Sequence, residues 1–341
     1  MSRIDFVVTW VDPSDAKWRR RKADWLKKTG AEEEDGSWEE DAREERYRDL
    51  GFFRYFFRSI EKNAPWVNRV YLVTDDQIPD FLDPSHPKLR IVSHREIIPK
   101  EYLPTFNSNA IELFLHRIPG LSETFVYLND DFLLNAPMHR RDFFVDGRPK
   151  DMFAFQPVVA NPDNPTMTRI LQNDALVISK HFDKRSFVMH NLSKVFWPGY
   201  PMMYFVYNGL EMCFPRFTGF YDVHCHMNLL RSTFETLWDL EPEILKKTAS
   251  HRFRSKDDIC IYLMKDYQKM TGNFHPVNLE RELGYYEVSD DNRKLCADIM
   301  RQTHRYLCIN DSTENYDADR ASKEIRRALK KVYPKKSSFE K

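Results

Sequence analysis

Glycine is scarce in this chain of 341 residues, with 10 in all, and none falls into G-x-G-x-x-G or G-x-x-x-x-G-K. Those spacings let a backbone wrap closely around phosphate, so a glycine-rich phosphate cradle is excluded, and any bound phosphate must be met by metal, Arg, Lys or a helix N-terminus. Cysteine is sparse and unpaired in pattern: five residues, at 213, 225, 260, 296 and 308, with no C-x-x-C. That is the distribution of reduced thiols rather than of a disulfide framework. No apolar run is long enough to span a bilayer, and the first strand-like run begins at Ile4 with no signal-like segment before it, so a cytoplasmic chain is expected. An excess of positive charge is also lacking. Lys plus Arg equals Asp plus Glu at 52 each, which argues against a nucleic-acid binder.

Aromatic residues, in contrast, are plentiful: 25 Phe, 16 Tyr and 7 Trp, far beyond what a disordered chain carries. Apolar, strand-prone runs occur at Ile4–Val11, Arg69–Thr74, Leu89–Val92 and Phe125–Leu134. Helical patterns at Phe52–Asn63 and Asn107–Ile118 fall between them. This alternation predicts an α/β fold with a mostly parallel, Rossmann-like or GT-A-like sheet. Beyond it, Phe143–Gln156 reads as edge strands, Thr166–His181, Leu229–Thr248 and Lys256–Met270 as helices, and Tyr306–Asn310 as a strand that rejoins the core. The expected organisation is an α/β catalytic core from 1–160 with 300–320, a mainly helical acceptor or lid region from 161–299, and a basic tail from 321–341. Between Glu32 and Glu45 nine acidic residues face one basic residue, a solvated surface loop with no ligand pattern.

The stretch FVYLNDDFLL, Phe125 to Leu134, is the first candidate for chemistry. A buried strand ends there in Asn129, Asp130 and Asp131, and in open α/β sheets ligands bind beyond the carboxyl ends of strands, where carboxylates can hold a divalent cation. Successive strand residues face opposite ways, so Asp130 and Asp131 reach one cation together only if the backbone bends. Arg54, Arg58 and Lys62 recur at four-residue spacing on one helical side, either as a solvated stripe or aimed at phosphate. His224, Cys225 and His226 form HCH. No further motif supplies the four ligands of a structural zinc site, so a histidine acting as general base is the preferred reading. SHRFRSKDD offers Arg254 to a phosphate or to an aspartate. The aromatic stretch Asn191–Phe220 reads as core or as an acceptor surface. From Arg320 to Lys341 nine basic residues face two glutamates, either a solvated helix or a contact with an anionic membrane leaflet.

Taken in order, IDFVVTWVDPSD, FRYFFRSIEKNAPWVNRVYLVTDDQIP, IVSHREI, LPTFNSNAIELFLHRIPGLSETFVYLNDD, HCHMNLL with HRFRSKDD, and YLCINDS resemble the four conserved regions of the Stealth proteins. These are bacterial capsule hexose-1-phosphate transferases related to the catalytic part of the animal enzyme that places GlcNAc-1-phosphate on lysosomal glycoproteins. The resemblance implies a UDP-sugar donor, a glycan acceptor, and Mg²⁺ or Mn²⁺. It implies that Trp10, Val11, Asp12, Arg54, Thr105, Ser108 and Glu112 bind donor, that Asp130, Asp131, Asn310 and Asp311 form the metal set, and that His226, Arg254 and Asp131 are catalytic. Asp49, Leu50, Gly51, Phe52 and Phe53 stand where the family often reads Asp-Asn-Gly-Glu-Leu. The implied reaction moves a hexose-1-phosphate, a HexNAc-1-phosphate by preference, to an acceptor hydroxyl and releases UMP during capsule or surface polysaccharide synthesis. Peripheral contact with the inner membrane face or the capsule export machinery follows as an expectation. The competing readings are a metal-dependent glycosyltransferase releasing UDP and a noncatalytic carbohydrate-binding module.

Overall fold

Ile4–Thr9 is buried at all but its last position and forms β1, the strand around which the main sheet is laid. The computed structural model describes residues 3–29, 50–162, 164–312 and 315–341; the acidic run of residues 32–45 lies outside them. β2 is Val70–Thr74, β3 Leu89–Ser93 and β4 Thr124–Leu128; β2 and β4 are entirely buried runs of the kind a sheet covered on both faces demands, whereas β3, at the sheet edge, is half-buried at Arg90, Ile91 and Ser93. β1 to β4 are mutually parallel in the order β3-β2-β1-β4. A fifth strand, here β8 (Met227–Leu230), pairs antiparallel with β4 and closes that edge. The polar side chain of Asp5 inside β1 is satisfied locally, accepting from Asn68 Nδ2 at 2.6 Å and from the Ser122 amide at 2.7 Å.

The expected α/β core with a mostly parallel sheet is therefore present. The run from Phe125 to Leu134 is not one strand, however. It leaves the main sheet after Leu128 and resumes as β5 (Phe132–Leu134) in a second sheet ordered β10-β11-β5, with β10 at Leu283–Glu287 and β11 at Tyr306–Asn310. A third small sheet joins β6 (Phe144–Val145), β7 (Arg148–Asp151) and β9 (His275–Pro276). The segment 161–299 thus contributes β8 to the main sheet and β10 to the second as well as its helices. Leu229–Thr248 is also not one helix: Met227–Leu230 is strand, and the helices Arg231–Leu240 and Pro242–Ser250 are separated at Pro242. Proline is tolerated at the first helical position but not inside a helix. Asn107–Ile118 likewise divides into a short helix, Ser108–Glu112, and a 3₁₀ turn, Leu115–Arg117.

The helix Phe53–Asn63 buries Phe53, Tyr55, Phe56, Phe57 and Ile60 against the sheet. The C-terminus packs against the same helix. The helix Ala318–Val332 buries Ile325, Ala328 and Leu329, and the last residues reach Phe57 through Phe339, with ring centroids 5.5 Å apart. Arg58 of the basic stripe makes two 2.7 Å bonds to the Glu340 carboxylate, and Lys62 donates to the Val332 carbonyl at 3.1 Å. Two members of that stripe thus anchor the C-terminus rather than face phosphate. Among the described residues no helix is long and apolar enough to cross a membrane.

Candidate active site

In the order β3-β2-β1-β4 the chain runs outward from β1 to β3 and then returns to β1's other side, so the β1/β4 junction is the topological switch point. Val8 pairs with Leu128, and the residues that follow, Thr9–Asp12 and Asn129–Asp131, leave the sheet side by side at its carboxyl edge. β8 runs the other way with Tyr127 opposite Met227, which brings the residues just before Met227 to the same edge. β11 pairs Cys308 with Phe132, and the Ile309 amide donates to the Asp131 carbonyl at 2.9 Å.

These three registers converge on Asp131, His224 and Cys308, whose ligand atoms all lie within 4.8 Å of one another. Cys308 Sγ donates to Asp131 Oδ2 at 3.2 Å, whereas Asp131 Oδ1 is buried with no hydrogen-bond partner among the described residues. Burial pushes the Asp131 carboxyl up, opposed by the neighbouring His224 and by the Cys308 bond. Burial, together with Asp131, drives the Cys308 thiol far above its ordinary range, so it stays protonated. His224 is exposed, lies 5.5 Å from the Phe132 ring, and has Nδ1 3.4 Å from the Tyr262 hydroxyl.

His226 is placed elsewhere. It is 2% exposed, stacks on Tyr306 with centroids 4.0 Å apart, meets Phe143 edge-on at 5.3 Å, and pairs Nδ1 with Cys225 Sγ at 2.9 Å. Burial first, then Lys265, Arg305 and Lys150, push it down to about 3, which leaves it neutral in the core. The bend at His224–Cys225 breaks the strand alternation, so the two histidines of HCH do not share an environment. His224, not His226, stands at the crevice.

A second polar group borders the first. Arg254 Nη2 donates to Ser108 Oγ at 2.8 Å, and Arg254 lies close enough to Glu112 to oppose the effect of burial, which raises that carboxyl to about 7. Glu112 Oε1 accepts from the Tyr127 hydroxyl at 2.9 Å, and that hydroxyl lies 2.9 Å from Thr9 Oγ1, so this chain of bonds crosses from the short helix to β4 and β1. The loop that presents Arg254 is held by buried Asp258, which pairs with His251 Nδ1 at 2.6 Å and accepts from Asn107 Nδ2 at 2.8 Å and from the Ser255 amide at 3.0 Å. Thr105 is buried, and its hydroxyl caps the Asn107 amide at 3.2 Å, so it shapes this loop rather than facing the crevice.

Of the remaining expected residues, Trp10 is half-buried and stacks on Phe53 at 5.8 Å, while Arg54, next along the helix, is exposed with its guanidinium over Phe81. Val11 packs against the small cluster of Trp18, Phe106 and Phe253. Asp12 uses its carboxylate on Ser14, accepting at 2.8 and 2.6 Å, and so turns the loop after β1. Asn310 Nδ2 donates to the Tyr285 hydroxyl at 3.1 Å and Asp311 accepts from Tyr316, so the structure pairs Asp131 with His224 and Cys308 in place of the Asn310 and Asp311 completion expected from sequence. Asp130 is exposed beside them. Cys308, Tyr127 and Tyr262 were not singled out by sequence, since a buried Cys or Tyr in an apolar run carries no local mark of its partners.

The family model of Stealth protein conserved region 1 matches residues 2–30, and that of conserved region 2 matches residues 46–151. The chain is 36% identical over its whole length to a capsular polysaccharide phosphotransferase WcwK of Streptococcus pneumoniae, covering 99% of that relative. It belongs to the Stealth family of phosphotransferases. An exopolysaccharide phosphotransferase cps2G of Lactiplantibacillus plantarum is 37% identical, with 99% of this chain and 96% of the relative covered. A receptor polysaccharide phosphotransferase WefC of Streptococcus oralis is 36% identical with both chains fully covered. The second Stealth region ends at Asp151, the last residue of β7, and so contains β2 to β7 and Asp131, whereas His224, Arg254 and Cys308 lie beyond both matched regions.

Proposed function

We propose that this Stealth phosphotransferase moves a hexose-1-phosphate from a UDP-sugar to a hydroxyl of a growing surface glycan. The acceptor oxygen attacks the phosphorus that carries the sugar, the bond from that phosphorus to the bridging pyrophosphate oxygen breaks, UMP leaves, and a phosphodiester remains. The anomeric C–O bond is untouched, so the anomeric configuration is kept. Phosphoryl transfer asks mainly for alignment and neutralisation of charge. His224 takes the hydroxyl proton on an imidazole nitrogen, oriented by Asp131 and by Tyr262. Arg254, steadied by Ser108, meets the non-bridging phosphate oxygens bidentately. Trp10, with its back against Phe53, offers an apolar edge to the nucleotide.

The donor chemistry at Asp131 suits a hard cation. Its buried Oδ1, without a hydrogen-bond partner among the described residues, is a hard carboxylate oxygen of the kind Mg²⁺ or Mn²⁺ takes. Asp131 would hold it, with the exposed Asp130 beside it. When bound, such an ion neutralises charge on the pyrophosphate. The observation that carries this reading is the convergence of an unpartnered Asp131 oxygen and exposed His224 at the switch point of a chain that matches polysaccharide phosphotransferases end to end. Incubation with Mg²⁺, a panel of UDP-sugars and glycan acceptor is expected to release UMP, read by chromatography; UDP as the product would refute it.

The outer face of the helix Ala318–Val332 keeps Lys323, Arg326, Arg327, Lys330 and Lys331 exposed, which supports peripheral contact with an anionic leaflet. Sedimentation with anionic but not with neutral vesicles is the expected result, and equal binding to both would sink the idea.

A further inference from the structure

Two residues before His224, Asp222 stands in an unusual position. Its side chain is 4% exposed, and one oxygen, Oδ1, takes both Lys265 Nζ at 3.1 Å and Lys269 Nζ at 3.0 Å. Lys265 also reaches Asp151 at 3.4 Å and Lys269 reaches Asp266 at 2.8 Å, so both ammonium groups are themselves held on more than one side. The other oxygen, Oδ2, is buried with no hydrogen-bond partner among the described residues. A buried carboxylate oxygen left without a donor is destabilising. Here it is fixed in place by two lysines, an arrangement that makes sense where a donor arrives from outside.

Asp222 lines a cavity of about 490 Å³, a volume suited to a small organic ligand. Its walls include Asn161, Asn164, Phe220, Tyr221 and Tyr262, and none of its described lining residues is basic. Gly219 draws two of the walls together: at φ 146° it accepts from the Gln156 amide at 3.2 Å, and the Gln156 carbonyl lies only 2.6 Å from where a Cβ would stand. The cavity touches the candidate active site through one side chain, since Tyr262 both lines it and pairs with His224 Nδ1.

We propose that this cavity is the subsite for the acceptor sugar, with Asp222 Oδ2 accepting a hydrogen bond from a ring hydroxyl and Tyr262 marking where the reacting hydroxyl passes to His224. The proposal rests on the transferase reading above and adds to it the place and chemistry of the second substrate. Lys265 and Lys269 already offset the Asp222 charge and no lining residue is basic, so the cavity offers no free cation to the donor's pyrophosphate, which belongs on the Arg254 side. Aromatic rings beside carboxylate and amide groups match a neutral sugar, which presents an apolar ring face and a rim of hydroxyl donors.

Saturation-transfer NMR with the full chain and the methyl glycosides of glucose, galactose and N-acetylglucosamine tests binding without any turnover. At least one glycoside should receive saturation, and Leu171→Trp, which fills the cavity from the helix Pro165–His181, should abolish it. Kinetics with the glycoside that binds give the second arm. Asp222→Asn should raise the acceptor KM about tenfold more than the donor KM, the effect of weakening one buried hydrogen bond. No saturation for any glycoside, saturation unchanged by Leu171→Trp, or a larger effect of Asp222→Asn on donor KM than on acceptor KM would each overturn the assignment. Should Asp222→Asn fail to fold, the Leu171→Trp arm decides. Absence of UMP release from the unaltered enzyme would refute the transferase reading while leaving the binding arm to judge the cavity.

Discussion

The carboxyl edge of β4 and the helix Phe53–Asn63 both carry charge suited to phosphate chemistry, yet they treat it in opposite ways. On the helix, Arg58 is matched to Glu340 and Lys62 to a backbone carbonyl, so the charge is spent on holding the C-terminus. At the strand edge, Asp131 keeps one buried oxygen without a partner among the described residues, and His224 stays exposed. Charge that is already satisfied stabilises the fold, and charge held rigidly but incompletely satisfied is what a ligand can complete. The largest expected consequence is at Asp131: Asp131→Asn should slow UMP release about a thousandfold, the scale of removing one preorganised electrostatic group, with little change in melting temperature. A mild effect on rate with a large loss of stability would place Asp131 with Arg58 instead.

The two histidines of HCH set the same contrast within three residues. His224→Ala should cost about a hundredfold in rate at nearly unchanged stability, as expected for losing a proton acceptor. His226→Ala should instead leave a void between Tyr306 and Phe143 and destabilise the protein by about 2–3 kcal/mol, measured by denaturant unfolding. The reverse pattern would restore His226 as the base.

How far these differences were legible beforehand follows from the range of the forces involved. β1 to β4 could be read because parallel strands buried on both faces are continuous apolar runs, a local signal. The division of Phe125–Leu134 between two sheets could not, since β5 is claimed by β11, 172 or more positions away in the chain, through the Phe132–Cys308 pairing. Leu229 and Leu230 read as the start of a helix because a short apolar run suits either state, and pairing with β4 decided it. Asp130, Asp131 and Arg254 stood out in the sequence because charged residues at a strand end or ahead of a helix are marked against apolar runs, whereas Ser108 and Glu112 were pointed to by the family resemblance alone. The resemblance named His226, whereas the structure seats His226 between Tyr306 and Phe143 and leaves His224 exposed, a difference that the HCH spacing does not encode.

Glu112 sits between the two kinds of region, satisfied by Tyr127 yet held by burial at about 7. Its carboxyl ionises near 4.5 in the unfolded chain and only near 7 in the folded one, so the folded state holds the extra proton. This group's contribution to stability is therefore full below pH 4.5, declines as pH rises to about 7, and is level above that. Glu112→Gln, which keeps the neutral shape, should flatten that decline and make the variant more stable relative to the parent at pH 8 than at pH 5, by up to about 3 kcal/mol. Parallel pH profiles of unfolding for the two proteins would mean that Glu112 is paired with Arg254 tightly enough to stay ionised.

Arg58 supplies the smallest effect and the cleanest contrast. Its guanidinium is 10% exposed and its partner's carboxylate 2% exposed, and a third bond reaches the Tyr333 carbonyl at 3.1 Å, so the C-terminal segment depends on it for both charge and geometry. Arg58→Ala strands the Glu340 carboxylate, which against its burial is held below the usual range by Arg58, and about 2 kcal/mol of stability should go with it. Glu340 also accepts from the Ser337 amide at 2.8 Å, which limits the loss. The KM for UDP-sugar should be unchanged, because the guanidinium is committed to the Glu340 carboxylate and the Tyr333 carbonyl. A rise in that KM of more than about threefold, which is roughly 0.7 kcal/mol, would show that the basic stripe reaches the donor after all and would erase the distinction between the two regions.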